Sequence, residues 1–244
     1  MRCTITAATL LACVAATTAP LPAAVREGKQ FPFVSAEGLR LHNVSAEPAT
    51  LQGKKGLQLT VSADASHRLA SMTPEQQGEI EQLAIVDGLE FASGIIEAEI
   101  AGAVAPGAAE GARGFVGIAF RLSNDLRTYD AFYLRPTNGR AEDQERRNHA
   151  LQYVSHPDWP WFRLRKETPS RYESYADLVP GEWTKVRIEV RGDRARLYVH
   201  GQQQPALVVN DVKTDPNGKG GIALWLGLGT VAHFRNLIVE PGPR

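Results

Sequence analysis

Side chains suited to binding a polar, ring-shaped ligand are concentrated in the central quarter of the chain. The 55 residues from Tyr129 to Trp183 contain 10 of the 18 Phe, Tyr and Trp residues, mixed with Arg, Asn, Asp, Glu and His. A pyranose presents an apolar C–H face that stacks on aromatic rings, and hydroxyls that bond to planar polar groups. The composition of this segment therefore predicts a carbohydrate site.

The first part of this segment has the alternation of a β-strand. From Tyr129 to Arg135, period two places Tyr129, Tyr133 and Arg135 on one face and Phe132 and Leu134 on the other. We expect the first three to line the open, concave face of a sheet and to contact the sugar. A plain polar outer face is the alternative.

Two further candidate ligand contacts follow in loops. Asn138 lies in a turn that ends the strand, where binding residues are common, although Asn138-Gly139 is also an ordinary turn signal. Arg147 belongs to a charged run from 142 to 149, which a solvated loop pairing with itself would equally explain.

The most unusual local sequence is His-Pro-Asp-Trp-Pro-Trp at 156–161. Its prolines predict a rigid, poorly helical loop in which Trp159 and Trp161 form a stacking platform. The alternative is a loop whose tryptophans plug one end of the fold. His156 is a candidate general base, or else a hydrogen-bonded structural residue.

Glycoside hydrolysis normally requires two carboxyl groups. The Glu-x-Asp-x-Glu triplet that would place three carboxylates on one strand face is absent, and the acidic run at 142–145 has the wrong spacing. Glu173 and Asp177, near Tyr172 and Tyr175, are possible acids or bases, and Glu173 is the candidate chosen together with His156. Classical two-carboxylate hydrolysis is therefore not predicted.

Metal, nucleotide and serine-nucleophile motifs are absent from the sequence. No metal ligand or cofactor is therefore assigned. A calcium ion held by loop carbonyls and Asp125 or Asp130 has no such signature, so a structural or catalytic calcium stays open.

Composition and periodicity define the fold class. Lys plus Arg and Asp plus Glu both total 27, which argues against charge-driven binding to nucleic acid. Alternating segments bounded by Gly, Pro, Asn and Asp predict about ten short strands, and hence an all-β, antiparallel two-sheet sandwich. The predicted strands are 57–61, 94–100, 114–122, 129–135, 150–154, a hairpin over 183–201, 206–209, 221–226 and 231–239. One or two helical turns are predicted at 73–77.

The N-terminal sequence predicts export. Arg2 precedes an apolar stretch from about 7 to 16 that is too short to span a bilayer, followed by small residues and prolines, as in a signal peptide over 1–24 cleaved near 19–24. A lipoprotein signal with Cys13 lipidated is the alternative. The expected protein is bacterial, periplasmic or secreted, without an integral membrane span, and has one domain over 25–244.

Three C-terminal segments carry a resemblance to known proteins: GEWTKVRIEVRGDRARLYVHG, GGIALWLG and VAHFRNLIVEP. They resemble the concanavalin-A-like jelly-roll superfamily, and within it the secreted 3-keto-disaccharide hydrolases and laminin-G-like modules. His200 stands where these domains usually have Asn in a hairpin turn.

The resemblance leaves two functions open. It implies either an enzyme acting on a glycoside oxidised at C3, by base-initiated elimination followed by hydration, or a non-catalytic, lectin-like carbohydrate-binding module. The sequence does not indicate the oligomeric state.

Overall fold

The computed structural model describes residues 28–242, in which fifteen strands, four short α-helices and one 3-10 helix alternate with turns. The signal peptide predicted over 1–24 lies outside the described residues. The strands are β1 (Lys29–Phe31), β2 (Leu39–His42), β3 (Val44–Leu51), β4 (Lys54–Val61), β5 (Leu83–Val86), β6 (Gly94–Val104), β7 (Val116–Leu122), β8 (Tyr129–Leu134), β9 (Leu151–His156), β10 (Glu173–Ser174), β11 (Thr184–Arg191), β12 (Arg194–Val199), β13 (Leu207–Val209), β14 (Gly221–Leu226) and β15 (Thr230–Pro241). The helices are α1 (Ala63–Ala70), α2 (Pro74–Gln77), the 3-10 helix Pro136–Asn138, α3 (Gln144–Asn148) and α4 (Trp161–Glu167).

The strands form two antiparallel sheets. The eight-stranded sheet has the order β13-β12-β11-β6-β15-β4-β3, with β1 also paired to β15, and the seven-stranded sheet has the order β10-β9-β8-β7-β14-β5-β2. The hairpin predicted over 183–201 is β11 and β12, in which Ile188 pairs with Leu197 and Gly192 turns at φ 57°. The predicted all-β, two-sheet sandwich is therefore confirmed.

Apolar side chains of the seven-stranded sheet fill the space between the sheets. Val116 of β7 faces β6, because a Cβ atom added at Gly102 would lie 2.9 Å from its Cγ1. On the same face, the Phe120 and Phe132 rings stack at 6.2 Å, and Tyr153 lies 5.5 Å from Phe132. Burial of these large rings excludes water from the core and supplies much of the apolar stabilisation.

The opposite, outer face of the seven-stranded sheet carries different residues. Tyr133 of β8, Gly117 of β7 and Trp225 of β14 are register partners in one row across it. Gly117 leaves room for the close approach of its neighbour, because a Cβ atom there would lie 2.3 Å from Phe132 O and 2.5 Å from Tyr133 Cβ. The two large rings therefore meet over a glycine.

Helices depart most from the sequence prediction. The turn predicted at 73–77 is α2, but α1 was not predicted; Ser62 caps it by accepting a hydrogen bond from Ala65 N at 3.3 Å. The prediction of a poorly helical loop through Trp161 is wrong at its last residue, because α4 begins there. Pro160 stands at the N-cap, where a proline interrupts no helical hydrogen bond. In the described part of the chain, no helix has the length and apolarity needed to cross a membrane.

Candidate functional site

A cleft of about 700 Å³ opens on the outer face of the seven-stranded sheet. Tyr133, Val154 and Trp225 contribute to its floor. Helix α1 and the segment that follows it to Gln82, the loop at 105–112, and Trp161 provide the walls. The volume lies within the range of small-molecule sites.

Aromatic rings dominate the floor. The rings of Tyr133 and Trp225 stack with centroids 4.8 Å apart and planes inclined by 29°. Phe115 meets Tyr133 edge-on at 6.1 Å. Trp161 stands at the wall with 44% of its surface exposed. Tyr133 is only 3% exposed beneath Trp225, so the flat apolar surfaces open to a ligand are those of the partly buried Trp225 and of Trp161.

One carboxyl group, that of Glu81, lines the cleft. Its side chain is only 10% exposed, and burial raises its pKa to about 7 despite a hydrogen bond from the Tyr129 hydroxyl to Oε2. Trp225 Nε1 donates in turn to the Tyr129 hydroxyl at 3.1 Å. The surroundings of the Glu81 carboxyl are therefore mostly apolar, and a chain of two hydrogen bonds orients it.

His156 lies beside this carboxyl. Its Nδ1 is 3.4 Å from Glu81 Oε1, and its ring stacks on Tyr129 with centroids 5.1 Å apart. Burial lowers the pKa of His156 to about 4, so the imidazole is neutral at neutral pH. Glu81 can therefore change its protonation state near pH 7, whereas the neighbouring His156 stays neutral there.

The backbone of Glu81 is fixed from a distant part of the chain. Asn43, between β2 and β3, adopts a left-handed φ of 60° and donates from Nδ2 to Glu81 O at 2.8 Å. Arg68 of α1 donates to Asn43 Oδ1 at 2.5 Å. The Asn43 side chain therefore joins α1 to the segment that carries the carboxyl, and we call this arrangement the Asn43 clamp.

The structure brings some of the predicted site residues to the cleft and not others. Tyr133, His156 and Trp161 line it. Tyr129 shares the outer face with Tyr133 but is fully buried, and it contacts the cleft residues Glu81, Trp225 and His156 from beneath.

Arg135 and Glu173 are tied up in a buried polar network beside the cleft. Arg135 donates to Glu173 Oε1 at 3.1 Å and to His149 O at 3.0 Å. Its other terminal nitrogen donates to the Tyr133 hydroxyl and to Gln152 Oε1, both at 2.9 Å. Arg135 therefore helps to fix the position of the Tyr133 side chain, which lines the cleft.

Glu173 is an ion-pair partner in this network. Burial alone would raise its pKa, but a hydrogen bond from Arg165 and the charges of Arg135 and Arg165 outweigh it and hold the pKa below its usual value. Arg165 Nε donates to Glu173 Oε2 at 3.0 Å. An acid held ionised in this way is poorly suited to giving up a proton, and its role as an acid or base stays an untested prediction.

The remaining predicted residues lie elsewhere. The Trp159 ring contacts the Arg163 guanidinium at 4.0 Å and the Lys213 ammonium at 4.7 Å, and it does not line the cleft that Trp161 lines. Asn138 is buried and donates to a backbone carbonyl at 3.2 Å. Arg147 lies at the surface and donates a hydrogen bond to the Tyr175 hydroxyl at 3.1 Å.

The two aspartates considered for calcium have protein partners. Asp125 organises its own turn: burial alone would raise its pKa, but hydrogen bonds from Arg127 N and Thr128 N, both at 2.9 Å, and from the Thr128 and Ser123 hydroxyls together outweigh it and lower the pKa to about 2. Asp130 accepts from the Tyr153 hydroxyl at 2.6 Å. Across residues 28–242, no group of three or more His, Cys, Asp or Glu side chains is placed to hold a metal ion.

Glu81 and Trp225 were missed in the sequence. Trp225 had a usable signal, because alternation along the predicted strand 221–226 places it opposite the core residues Leu224 and Leu226. Glu81 had none, since it lies in the polar run 76–82 and is buried only by strands that are distant in sequence.

Comparison with solved structures supports the fold class. A Bacillus subtilis protein of unknown function with a galectin-like fold superposes with a TM-score of 0.53 at 13% identity, covering 89% of this chain and 97% of that one. The carbohydrate-binding module CBM66 from Bacillus subtilis gives 0.48 at 12% identity, covering 82% and 98%. The β-glucanase of Bacillus licheniformis gives 0.44 at 13% identity, covering 88% and 99%.

These comparisons define the fold and not the activity. The chain has the antiparallel two-sheet sandwich predicted from its sequence, which it shares with the galectin-like Bacillus subtilis protein. No known protein family matches the chain, so the finer resemblance to 3-keto-disaccharide hydrolases finds no support there. No curated protein matches it either.

Proposed function

We propose that this protein binds carbohydrate in the cleft on the outer face of the seven-stranded sheet. The observation that carries the proposal is a cleft of about 700 Å³ lined by two tryptophans, the partly buried Trp225, which is supported from below by the buried Tyr133, and the exposed Trp161. An aromatic floor of this kind matches the apolar face of a pyranose.

Polar groups around the floor suit the remainder of a sugar. Thr60, Ser66 and Gln77 are polar residues of the cleft lining. The Gln77 amide nitrogen already donates to Leu69 O at 2.8 Å, so its amide oxygen is the group that can accept a hydrogen bond from a sugar hydroxyl. Because Glu81 is the one carboxyl among the described lining residues and no Lys or Arg lines the cleft, the site favours a ligand recognised by stacking and hydrogen bonds.

The test is titration of the protein with a panel of neutral and acidic oligosaccharides, followed by calorimetry and tryptophan fluorescence. Trp225→Ala should weaken binding by about tenfold or more, since loss of an aromatic stacking partner costs about 1 kcal/mol or more. The matched control is Tyr198→Ala, an aromatic residue of the other sheet packed under Arg187 at 3.9 Å. Absence of binding across the panel, or equal binding by Trp225→Ala, would overturn the proposal.

A second candidate is processing of a glycoside, as the resemblance to 3-keto-disaccharide hydrolases implies. The observation that favours it is the Glu81 carboxyl, which is buried in the same cleft and next to a neutral imidazole. Incubation with ordinary and 3-keto disaccharides separates the two functions. Product formation supports an enzyme, and saturable binding without product supports a binding module.

We also propose that the chain is exported, on the basis of the signal-like sequence over 1–24. Fractionation of cells expressing the full chain, with mass spectrometry of the N-terminus, tests this. A protein that retains Met1 in the cytoplasm would contradict it, and a lipidated Cys13 would identify the lipoprotein alternative.

A further inference from the structure

The protein supplies no cation to the Glu81 carboxyl in the cleft. Its Oε2 accepts a hydrogen bond from the Tyr129 hydroxyl, and its Oε1 lies 3.4 Å from His156 Nδ1. Burial lowers the pKa of His156 to about 4 and raises that of Tyr129 well above its usual value, so both neighbours are uncharged at neutral pH. A carboxylate buried to this extent is normally paired with a cation, and a bound ligand can provide the missing one.

The rest of the cleft lining is free of charge. Among the described residues that line it, Glu81 is the one Asp or Glu, and there is no Lys or Arg. The loop at 105–112 contributes only Ala, Gly and Pro residues. A positively charged group on a ligand would therefore meet one carboxyl group and no repelling charge in the lining.

An aromatic face next to Glu81 also suits a cation. Trp225 Nε1 donates at 3.1 Å to the same Tyr129 hydroxyl that bonds to Glu81, so the indole ring and the carboxyl are close neighbours. Tyr133 supports the Trp225 ring from one side, with centroids 4.8 Å apart. Indole attracts a cation more strongly than the other aromatic side chains do.

We propose that the sugar held in the cleft is an amino sugar, and that its ammonium group pairs with the Glu81 carboxylate beside Trp225. This inference rests on the proposed carbohydrate site and names the class of ligand for it. A primary ammonium group has three N–H donors. The Gln77 amide oxygen is a further acceptor in the lining.

The charges around Trp161 give the ligand a direction in the cleft. The guanidinium groups of Arg165 and Arg135 lie 4.8 and 5.8 Å from the centroid of the Trp161 ring. Both arginines pair with the single carboxylate of Glu173, so positive charge remains in excess next to this ring. We therefore expect the ammonium group at Glu81 and an uncharged ring of the ligand on Trp161.

The protonation of Glu81 makes this pairing depend on pH. Burial raises the pKa of the free carboxyl to about 7, although Tyr129, Trp225 and the exposed Arg127 act to lower it. An ammonium group pairs only with the ionised form, whose fraction falls from about one half at pH 7 to about one hundredth at pH 5. The affinity for an amino sugar should therefore fall by up to about 50-fold over this interval. His156, with a pKa of about 4, stays mainly neutral throughout.

The experiment is calorimetry of the whole chain with matched oligosaccharides of the gluco and galacto series, in which one hydroxyl per ring is replaced by an amine or an acetamide. Near neutral pH we expect the wild type to bind the amine form of one series about ten- to hundredfold more tightly than the hydroxyl form, the gain typical of a hydrogen bond between charged groups. Glu81→Gln should bring this ratio of affinities close to one and remove its dependence on pH. Glu79→Gln, an exposed acid two residues away, makes the same change in net charge and should keep the wild-type ratio.

The outcomes separate this inference from the binding proposal. Equal or weaker binding of the amine forms, while a hydroxyl form, an acetamide form or another oligosaccharide binds, would overturn the inference and leave the carbohydrate site standing. Glu81 would then remain protonated and donate to His156 Nδ1. A preference for the amine that persists in Glu81→Gln would also overturn the inference, because the ammonium group would be bound elsewhere. Failure of the wild type to bind any oligosaccharide would overturn the proposed function itself.

Discussion

The environment of Glu81 and His156 predicts an unusual dependence of stability on pH. The folded protein keeps Glu81 protonated up to about pH 7, whereas in the unfolded chain it ionises around its usual value of 4.5. The free energy of unfolding therefore falls as pH rises from 4.5 to about 7. At about 1.4 kcal/mol per pH unit, the total loss from this one group is about 3 kcal/mol.

His156 has the opposite effect over nearly the same interval. The folded protein keeps its imidazole neutral down to about pH 4, whereas the unfolded chain protonates it around 6.5. The free energy of unfolding therefore falls as pH decreases from 6.5 to about 4, again by about 3 kcal/mol in total. In the wild type the two slopes nearly cancel, and the pair contributes little net pH dependence.

Glu81→Gln removes one of the two slopes. Relative to the wild type, the variant should gain about 3 kcal/mol in free energy of unfolding between pH 4.5 and about 7. Urea denaturation followed by tryptophan fluorescence, repeated at several pH values across this interval, measures the difference. Other titrating groups cancel because they are common to both proteins.

The control and the reciprocal variant make the test specific. Glu79→Gln should follow the wild type throughout, since Glu79 is exposed. His156→Asn should lose stability relative to the wild type as pH rises from about 4 to 6.5. If the difference between Glu81→Gln and the wild type were flat, or if the variant lost stability with rising pH, Glu81 would be ionised in the folded protein and the reasoning would be refuted.

Three further predictions concern the surroundings of the site. Glu173→Gln should destabilise the fold by about 3–5 kcal/mol in urea denaturation, because it leaves the buried Arg135 guanidinium without its carboxylate; a change below 1 kcal/mol would mean that the remaining acceptors suffice. Gly117→Ala should lower Tm and cost about 1–3 kcal/mol, since its Cβ would lie 2.3 Å from Phe132 O; an unchanged Tm would mean that β8 moves aside freely. Asp125→Asn should be less stable than the wild type at neutral pH. The two stabilities should converge as pH falls from 3.8 towards 2, because the wild-type carboxylate becomes protonated there. A constant difference in stability across an acid titration would argue against a role for the charge of Asp125.

The two-sheet sandwich was predictable because its central strands alternate cleanly. In β11, for example, Val186, Ile188 and Val190 are buried and the residues between them are not, so period two identified both the strand and its core face. Strand β5 has four consecutive buried residues, and β3 has one buried residue followed by a mixture of intermediate and exposed ones, so neither shows alternation. These two strands obtain their conformation from pairing with neighbours.

The site was predictable only in part, because local sequence does not show what covers a residue. Tyr133 was assigned to the correct face of its strand. Glu173 was chosen from its aromatic neighbours, but it meets two arginines that lie 38 and 8 residues away in the chain. Glu81 is close to its partner Tyr129 only through a contact spanning 48 residues. Burial and pairing of this kind arise when the sheets assemble, and no single-segment pattern encodes them.

The Asn43 clamp has a mechanical consequence for the carboxyl that it positions. Asn43 is the hinge residue where the chain leaves the seven-stranded sheet and enters the eight-stranded sheet, and its amide holds the peptide of Glu81. The orientation of the Glu81 carboxyl in the cleft therefore depends on the distance between the two sheets at the corner where Asn43 lies. A wider spacing of the sheets at this corner would displace the Glu81 carboxyl. The Tyr133 and Trp225 rings would keep their arrangement, because both belong to the seven-stranded sheet.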